Sequence, residues 1–237
     1  MRILITRPEP DGERTAQALR ARGHEVLLAP LLKIETLAAD VGTGPWAAVL
    51  MTSANAARAV ATHAQRGEIV RAPAFTVGDR SADAARAAGF SDVTSAAGDA
   101  DDLVRLVADR VTDRKTPLLY LAGADRAADV AGALTAQGFT VRTAVAYRAV
   151  AANVLPDEAA AALEADRIDA VLHFSARTAA AFLVVAAGSA VLDKALSCQH
   201  YCLSPSGASR LAAAGAGCVE TAARPDEAAL LDLVGRA

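Results

Sequence analysis

The sequence predicts an α/β protein with two related domains, each a parallel β-sheet flanked by helices. A two-strand linker joins them, and a cleft lies between them. Three observations carry this expectation. Short apolar runs alternate with alanine-rich helical patterns along the whole chain, glycines fall where those patterns end, and the second half repeats the first at a nearly constant offset. Strands alternating with helices make βαβ units and hence parallel sheets. Continuous apolar runs of three to five residues suit strands covered on both faces.

The first strand reads as Ile3-Leu4-Ile5, followed by Thr6-Arg7-Pro8 and a helix to about Arg22, stopped by Gly23. Ala48-Val49-Leu50-Met51 leads through Thr52-Ser53-Ala54-Asn55 into a helix through His63. Phe75-Thr76-Val77 leads through Gly78-Asp79-Arg80-Ser81 into a helix stopped by Gly89. Leu118-Leu119-Tyr120-Leu121 leads through Ala122-Gly123-Ala124-Asp125 into a helix stopped by Gly138. Ala170-Val171-Leu172-His173-Phe174 leads through Ser175-Ala176-Arg177 into a long helix. Tyr201-Cys202-Leu203 leads through Ser204-Pro205-Ser206-Gly207 into a helix stopped by Gly215. Glycine after the last periodic residue is a helix C-terminal signal, because it alone turns left-handed without strain.

The repeat pairs Thr52-Ser53-Ala54-Asn55 with Phe174-Ser175-Ala176-Arg177, and Val93-Thr94-Ser95-Ala96 with Val219-Glu220-Thr221-Ala222. Gly78 and Ser204 occupy equivalent turns. Such spacing favours duplication over one large sheet. The unit from Met1 to about Glu35 precedes both copies and matches Leu118 to about Tyr147, which lies between them. Leu31–Glu35 and Val145–Val150 read as two extended crossover segments.

Composition narrows the function. The chain has 237 residues, 53% of them hydrophobic, which excludes disorder. Alanine makes up about a quarter of it, which suits close-packed helices. Lys and Arg total 24 against 27 Asp and Glu, so no basic surplus points to nucleic acid. Cys198, Cys202 and Cys218 are an odd set without a C-x-x-C pair, which favours a reducing compartment over a disulfide framework. Cys198, His200 and Cys202 alternate, but no further ligand accompanies them, so the segment reads as an apolar strand end and no metal is expected. The N-terminal apolar run is too short for a signal peptide, and Ala179–Ala187 is too short for a membrane span. A cytoplasmic monomer without a membrane partner is expected.

The turns carry the chemistry. Ser, Thr, Asp and Gly after a strand cap the next helix and leave backbone N–H groups pointing outward, with the helix dipole behind them. That makes an anion site, and in open α/β sheets ligands lie beyond the C-terminal ends of the strands. No turn carries G-x-G-x-x-G or G-x-x-x-x-G-K-[ST], so nucleotide-dependent chemistry lacks its fingerprint. The ligand that fits is a polyanion held by many weak contacts.

Read in order, these segments resemble the uroporphyrinogen-III synthase family. The resemblance rests on Leu4-Ile5-Thr6-Arg7-Pro8, Met51-Thr52-Ser53-Ala54-Asn55-Ala56, Val77-Gly78 before Ser81-Ala82, and Leu121-Ala122-Gly123 with Arg126. It continues with Tyr147, Phe174-Ser175 and Ser204-Pro205-Ser206-Gly207-Ala208, and so spans nearly the whole chain. It implies one domain from residues 1–35 and 148–237 and another from 36–147. It implies a cofactor- and metal-independent lyase that closes a linear tetrapyrrole polycarboxylate, hydroxymethylbilane, with inversion of the last pyrrole ring and loss of water, in heme, siroheme and cobalamin biosynthesis. By the same likeness Tyr147 is the catalytic phenol. Thr6, Arg7, Thr52, Ser53, Gly78, Arg126, Ser175, Ser204 and Ser206 are the substrate contacts. Ser204 departs from the family pattern, which has glycine there, and Met51 stands where Phe is common. The alternative is a non-catalytic two-lobed ligand-binding or regulatory module of the same fold.

Overall fold

Each apolar run becomes a strand because its alternate side chains are buried on opposite faces. In the computed structural model, which describes residues 1–126 and 128–235, the chain begins β1 (Arg2–Ile5), α1 (Asp11–Arg20), β2 (Glu25–Leu28), β3 (Leu32–Thr36). Next come β4 (Ala48–Met51), α2 (Ala54–Ala61), α3 (Arg66–Ile69), β5 (Ala74–Thr76), α4 (Asp79–Ala88), β6 (Val93–Ser95) and α5 (Ala100–Arg110). The middle closes with β7 (Leu118–Gly123), α6 (Val130–Thr135) and β8 (Val141–Ala151). The remainder is α7 (Asp157–Glu164), β9 (Ala170–His173), α8 (Ala176–Gly188), α9 (Leu192–Ser197), β10 (Gln199–Cys202), α10 (Pro205–Ala213), β11 (Cys218–Thr221) and α11 (Glu227–Val234).

The chain divides into two units, Met1–Lys33 with Val150–Ala237, and Ile34–Ala149. The first holds a parallel sheet in the order β11-β10-β9-β1-β2. The second holds β3-β8-β7-β4-β5-β6, parallel from β8 to β6. Read from its far edge, β6-β5-β4-β7-β8 matches β11-β10-β9-β1-β2 strand for strand. The last two members come first in the chain in one unit and last in the other. The sequence repeat is therefore a permuted copy of one five-stranded plan.

The chain passes between units in β3 and β8. The Leu37 N–H donates to the Ala146 carbonyl and the Ala152 N–H to the Leu31 carbonyl, each at 2.9 Å. One number rises as the other falls, so these two strands run antiparallel. Arg148 Nε donates to Glu35 Oε2 at 3.0 Å across them.

In the first unit Leu4, Val171 and Cys202 face one helix layer around Phe182, while Ile3, Ile5, Leu172 and Tyr201 face the other around Leu230. In the second, Val49, Met51, Leu119 and Leu121 pack under α2 and α4, and Leu50, Leu118 and Tyr120 pack under α5 and α6. Burial on both faces is why these strands lack polar alternation. The alanine excess also has a place: Ala56, Ala57, Ala82 and Ala85 are fully buried where α2 meets α4, and small side chains let those helices approach closely.

Several boundaries differ from the sequence expectation by a few residues. The helix after β7 begins at Val130, not at the Ala122–Asp125 turn, because Ala122 and Gly123 stay in the sheet opposite Val145 and Tyr147. Asp129 caps that helix by accepting from the Gly132 N–H at 2.9 Å. The helix after Thr52-Ser53 ends at Ala61 rather than at His63, whose Nδ1 accepts from the Gln65 N–H at 3.1 Å. Among the described residues no helix is long and apolar enough to cross a membrane.

Candidate functional site

In a parallel sheet the crevice for a ligand forms where neighbouring strands lead their connections in opposite directions. In the second unit that point lies between β4, followed outward by β5 and β6, and β7, followed outward by β8. A cavity of about 350 Å³ opens there. Its walls are Thr52 and Val77 from the ends of β4 and β5, Gly98–Ala100 at the start of α5, and Tyr120, Gly123, Asp125 and Arg126 from β7 and its turn.

Two phenols serve this place. The Tyr120 hydroxyl lies 3.3 Å from Thr52 Oγ1. The Ser53 side chain lies beside the Tyr147 phenol and favours its ionised form. Tyr147 reaches it because β8 carries one extra residue: Ala122 pairs with Val145, but Gly123 pairs with Tyr147. Such a bulge re-aims the side chains that follow it. Gly123 makes room, since a Cβ there would stand 2.8 Å from Tyr147 Cζ and 2.9 Å from its hydroxyl. Burial pushes the Tyr147 phenol above its ordinary range; Ser53 opposes this, while Tyr120 and Asp125 add to it. The phenol therefore holds its proton at neutral pH.

The helix starts beside this cavity differ in how they are capped. Ser53 accepts from the Asn55 N–H at 3.1 Å at the start of α2. Asp99 occupies the start of α5 with its own carboxylate, accepting from the N–H groups of Asp101 and Asp102. No side chain caps α4, whose N-cap is Gly78, extended at φ −152° with open space where a Cβ would go. Arg126 is exposed on the cavity wall.

In the first unit the corresponding point lies between β9 and β1, and its own side chains occupy it. Thr6 is fully buried and its hydroxyl donates to the Leu172 carbonyl at 2.8 Å. Arg7 is 7% exposed; its Nη1 donates to Thr15 Oγ1 at 2.9 Å and lies 3.1 Å from Glu227 Oε2, with the guanidinium 4.1 Å above the Phe174 ring. Burial pushes Glu227 up, but the Thr15 hydrogen bond and the charges of Arg7 and Arg14 outweigh it and hold the carboxyl below its ordinary range. Ser175 is spent on a capping box with Thr178. The hydroxyls of Ser204 and Ser206 sit 3.1 Å apart at the start of α10, where neither caps the helix.

Of the ten residues singled out in the sequence, Thr52, Ser53, Arg126 and Tyr147 gather at or beside one cavity, with Gly78 at the neighbouring strand end. The side chains of Thr6 and Arg7 instead build the first unit's interior. Sequence reading missed Tyr120 and Asp125. A lone hydroxyl inside the apolar run Leu118–Leu121 was the available signal for the first.

Two permuted copies of one parallel-sheet plan, joined by two antiparallel crossover strands, define a class of two-unit α/β proteins. The model of the family described as Uroporphyrinogen-III synthase HemD matches residues 13–232, and the chain belongs to that family. Its members are cofactor-independent, lyase-type enzymes of tetrapyrrole biosynthesis, and uroporphyrinogen-III synthesis is the activity that membership assigns. The structure is similar to that of a uroporphyrinogen-III synthetase from Helicobacter pylori 26695, at 17% identity, TM-score 0.67, covering 99% of this chain and 98% of that one. It is also similar to a mutant uroporphyrinogen III synthase from the extremely thermophilic bacterium Thermus thermophilus, at 16% identity, TM-score 0.50, covering 99% and 97%. No curated protein sequence matches the chain.

Proposed function

We propose that the chain closes hydroxymethylbilane to uroporphyrinogen III with Tyr147 as the general acid, and that strand-end turns of each unit take the substrate's carboxylates. The observation that carries this reading is the Tyr147 phenol packed against Gly123 at the wall of a cavity at the strand-order reversal, where burial pushes its ionisation up.

The chemistry asks for little more. The terminal pyrrole nitrogen pushes electrons toward its hydroxymethyl carbon, the hydroxyl leaves as water with the proton of Tyr147, and loss of the pyrrole N–H proton leaves a neutral azafulvene. A pyrrole carbon at the far end attacks that electrophile. Binding then decides which carbon attacks, so most of the catalytic effect is positioning. A phenol that stays protonated can give its proton to the hydroxyl as that group becomes basic on leaving. Backbone N–H groups at helix starts hold carboxylates without adding formal charge, which reconciles a net charge of −3 with an anionic substrate. Thr6 and Arg7 serve by shaping their turn. Ser204, extended at φ −144°, needs no glycine for its backbone.

The test is to incubate the protein with freshly generated hydroxymethylbilane and resolve the uroporphyrin isomers after oxidation. Isomer III is expected. Isomer I alone, the spontaneous product, would sink the reading and favour the non-catalytic module.

A further inference from the structure

Tyr120 lies mid-strand in β7 and is 2% exposed. Its neighbours Leu119 and Leu121 are buried and apolar, so the strand itself offers its hydroxyl nothing. A buried phenol needs a partner, and this one finds it in Thr52, one residue past β4, with both side chains on the cavity wall. Thr52 is joined by one peptide bond to Ser53, which caps α2 and lies beside the Tyr147 phenol.

The other unit shows what the same scaffold does without this arrangement. Leu50 pairs with Tyr120, and Leu172 pairs with Ile5. Ser53 and Ser175 are the N-caps three residues further on. Ile5 thus stands where Tyr120 does, and Phe174 where Thr52 does. The polar pair occurs in the unit that carries Tyr147, and an apolar pair replaces it in the unit that does not.

We propose that Tyr120 is a positioning residue for the cyclisation: by hydrogen-bonding Thr52 it clamps the Thr52-Ser53 turn and so fixes the Tyr147 phenol against the cavity. The proposal rests on the reading of Tyr147 as the acid. The titratable groups that bear on Tyr147 are Tyr120 from β7 and Asp125 from the turn after it. Beyond burial, the remaining influence is the Ser53 side chain, and a clamp on the turn acts on its placement.

The test compares Tyr120→Phe, Thr52→Val and Thr52→Ser. Losing one hydrogen bond that positions a reacting group is expected to lower kcat about fivefold in the first two, with KM little changed in Tyr120→Phe and raised in Thr52→Val, where a substrate contact is lost as well. Thr52→Ser keeps the hydroxyl and is expected to restore kcat. The double variant Tyr120→Phe with Thr52→Val is expected to resemble either single one in kcat, because one interaction is removed twice. The chain has only three tyrosines, so tyrosinate absorbance, with Tyr147→Phe as the reference, follows the ionisation of Tyr147 directly. In Thr52→Val that ionisation is expected to move to higher pH, since the Ser53 side chain that favours the phenolate is no longer held in place. Unchanged kcat in Thr52→Val, multiplicative losses in the double variant, or an unmoved Tyr147 titration would each overturn the clamp. The optical titration needs no turnover, so it decides the clamp even if isomer III is never formed. A fully active Tyr147→Phe would instead remove the acid. Thr52→Val leaves the Tyr120 ring in place and keeps the test open if Tyr120→Phe fails to fold.

Discussion

The two units are built on one strand plan but treat its crevice in opposite ways. Asp226 and Asp99 are equivalent N-caps, at the starts of α11 and α5. The next residue is Glu227 in one unit and Ala100 in the other. Glu227 reaches Arg7 and Thr15 and fills the reversal point between β9 and β1. Ala100 reaches nothing, and the matching place in the second unit stays open as the cavity beside Tyr120 and Tyr147. Duplication supplied two crevices. One became an internal ion pair that joins the turn after β1 to α11, and the other stays open as a cavity. An open turn and a turn filled by a carboxylate differ here by a few side-chain atoms.

The comparison can be broken from either side. The largest effect is expected at Tyr147. Tyr147→Phe removes the acid but keeps the ring, and turnover is expected to fall about 100-fold, within the range of general acid catalysis; a stopped-flow or isomer-resolved assay reads it. Ala100→Glu next places the first unit's carboxylate in the second unit's cavity. Substrate carboxylates would then face a like charge, and KM is expected to rise about 30-fold while the far-UV spectrum is retained.

The converse substitution should act on stability. Glu227→Gln keeps the shape but removes the carboxylate charge that faces Arg7. Fully buried pairs cost more to break, and with Glu227 26% exposed about 2 kcal/mol is expected in thermal unfolding, with KM unaffected. The sign with pH follows from the lowered carboxyl. The pair's contribution is present above the ordinary value of 4.5 and is lost as pH falls through the lower folded value. Melting temperature should therefore fall more steeply in acid for the unaltered chain than for Glu227→Gln; parallel curves would remove Glu227 from the account. The smallest effect is expected at Ser204→Gly. Its backbone is extended and its side chain caps nothing, so activity should stay within about twofold unless the hydroxyl itself touches substrate. A large loss would show the first unit's turns to be as engaged as those of the second.

Much of the site was legible because its parts lie at strand ends, where local patterns are strong. Thr52-Ser53 and Gly78 stand out as small residues between an apolar run and a helix, and the structure places Ser53 and Gly78 as N-caps. Thr6 and Arg7 look alike in sequence, yet their side chains turn inward. Their partners Leu172 and Glu227 are more than 160 residues away, and no local pattern announces them. Tyr120 was hidden by its own strand, whose apolar character describes the ring and not the hydroxyl.

The sequence by itself determined the alternation of strands and helices, the glycine stops and the duplication. These follow from side-chain burial at period 2 or 3.6 and from backbone sterics, which act over a few residues. Only the tertiary structure decided where the strand order reverses, that β8 carries an extra residue before Tyr147, and which crevice is filled. Those depend on strand neighbours and on contacts between residues far apart in the chain, where pairing register, not local propensity, sets which side chains meet.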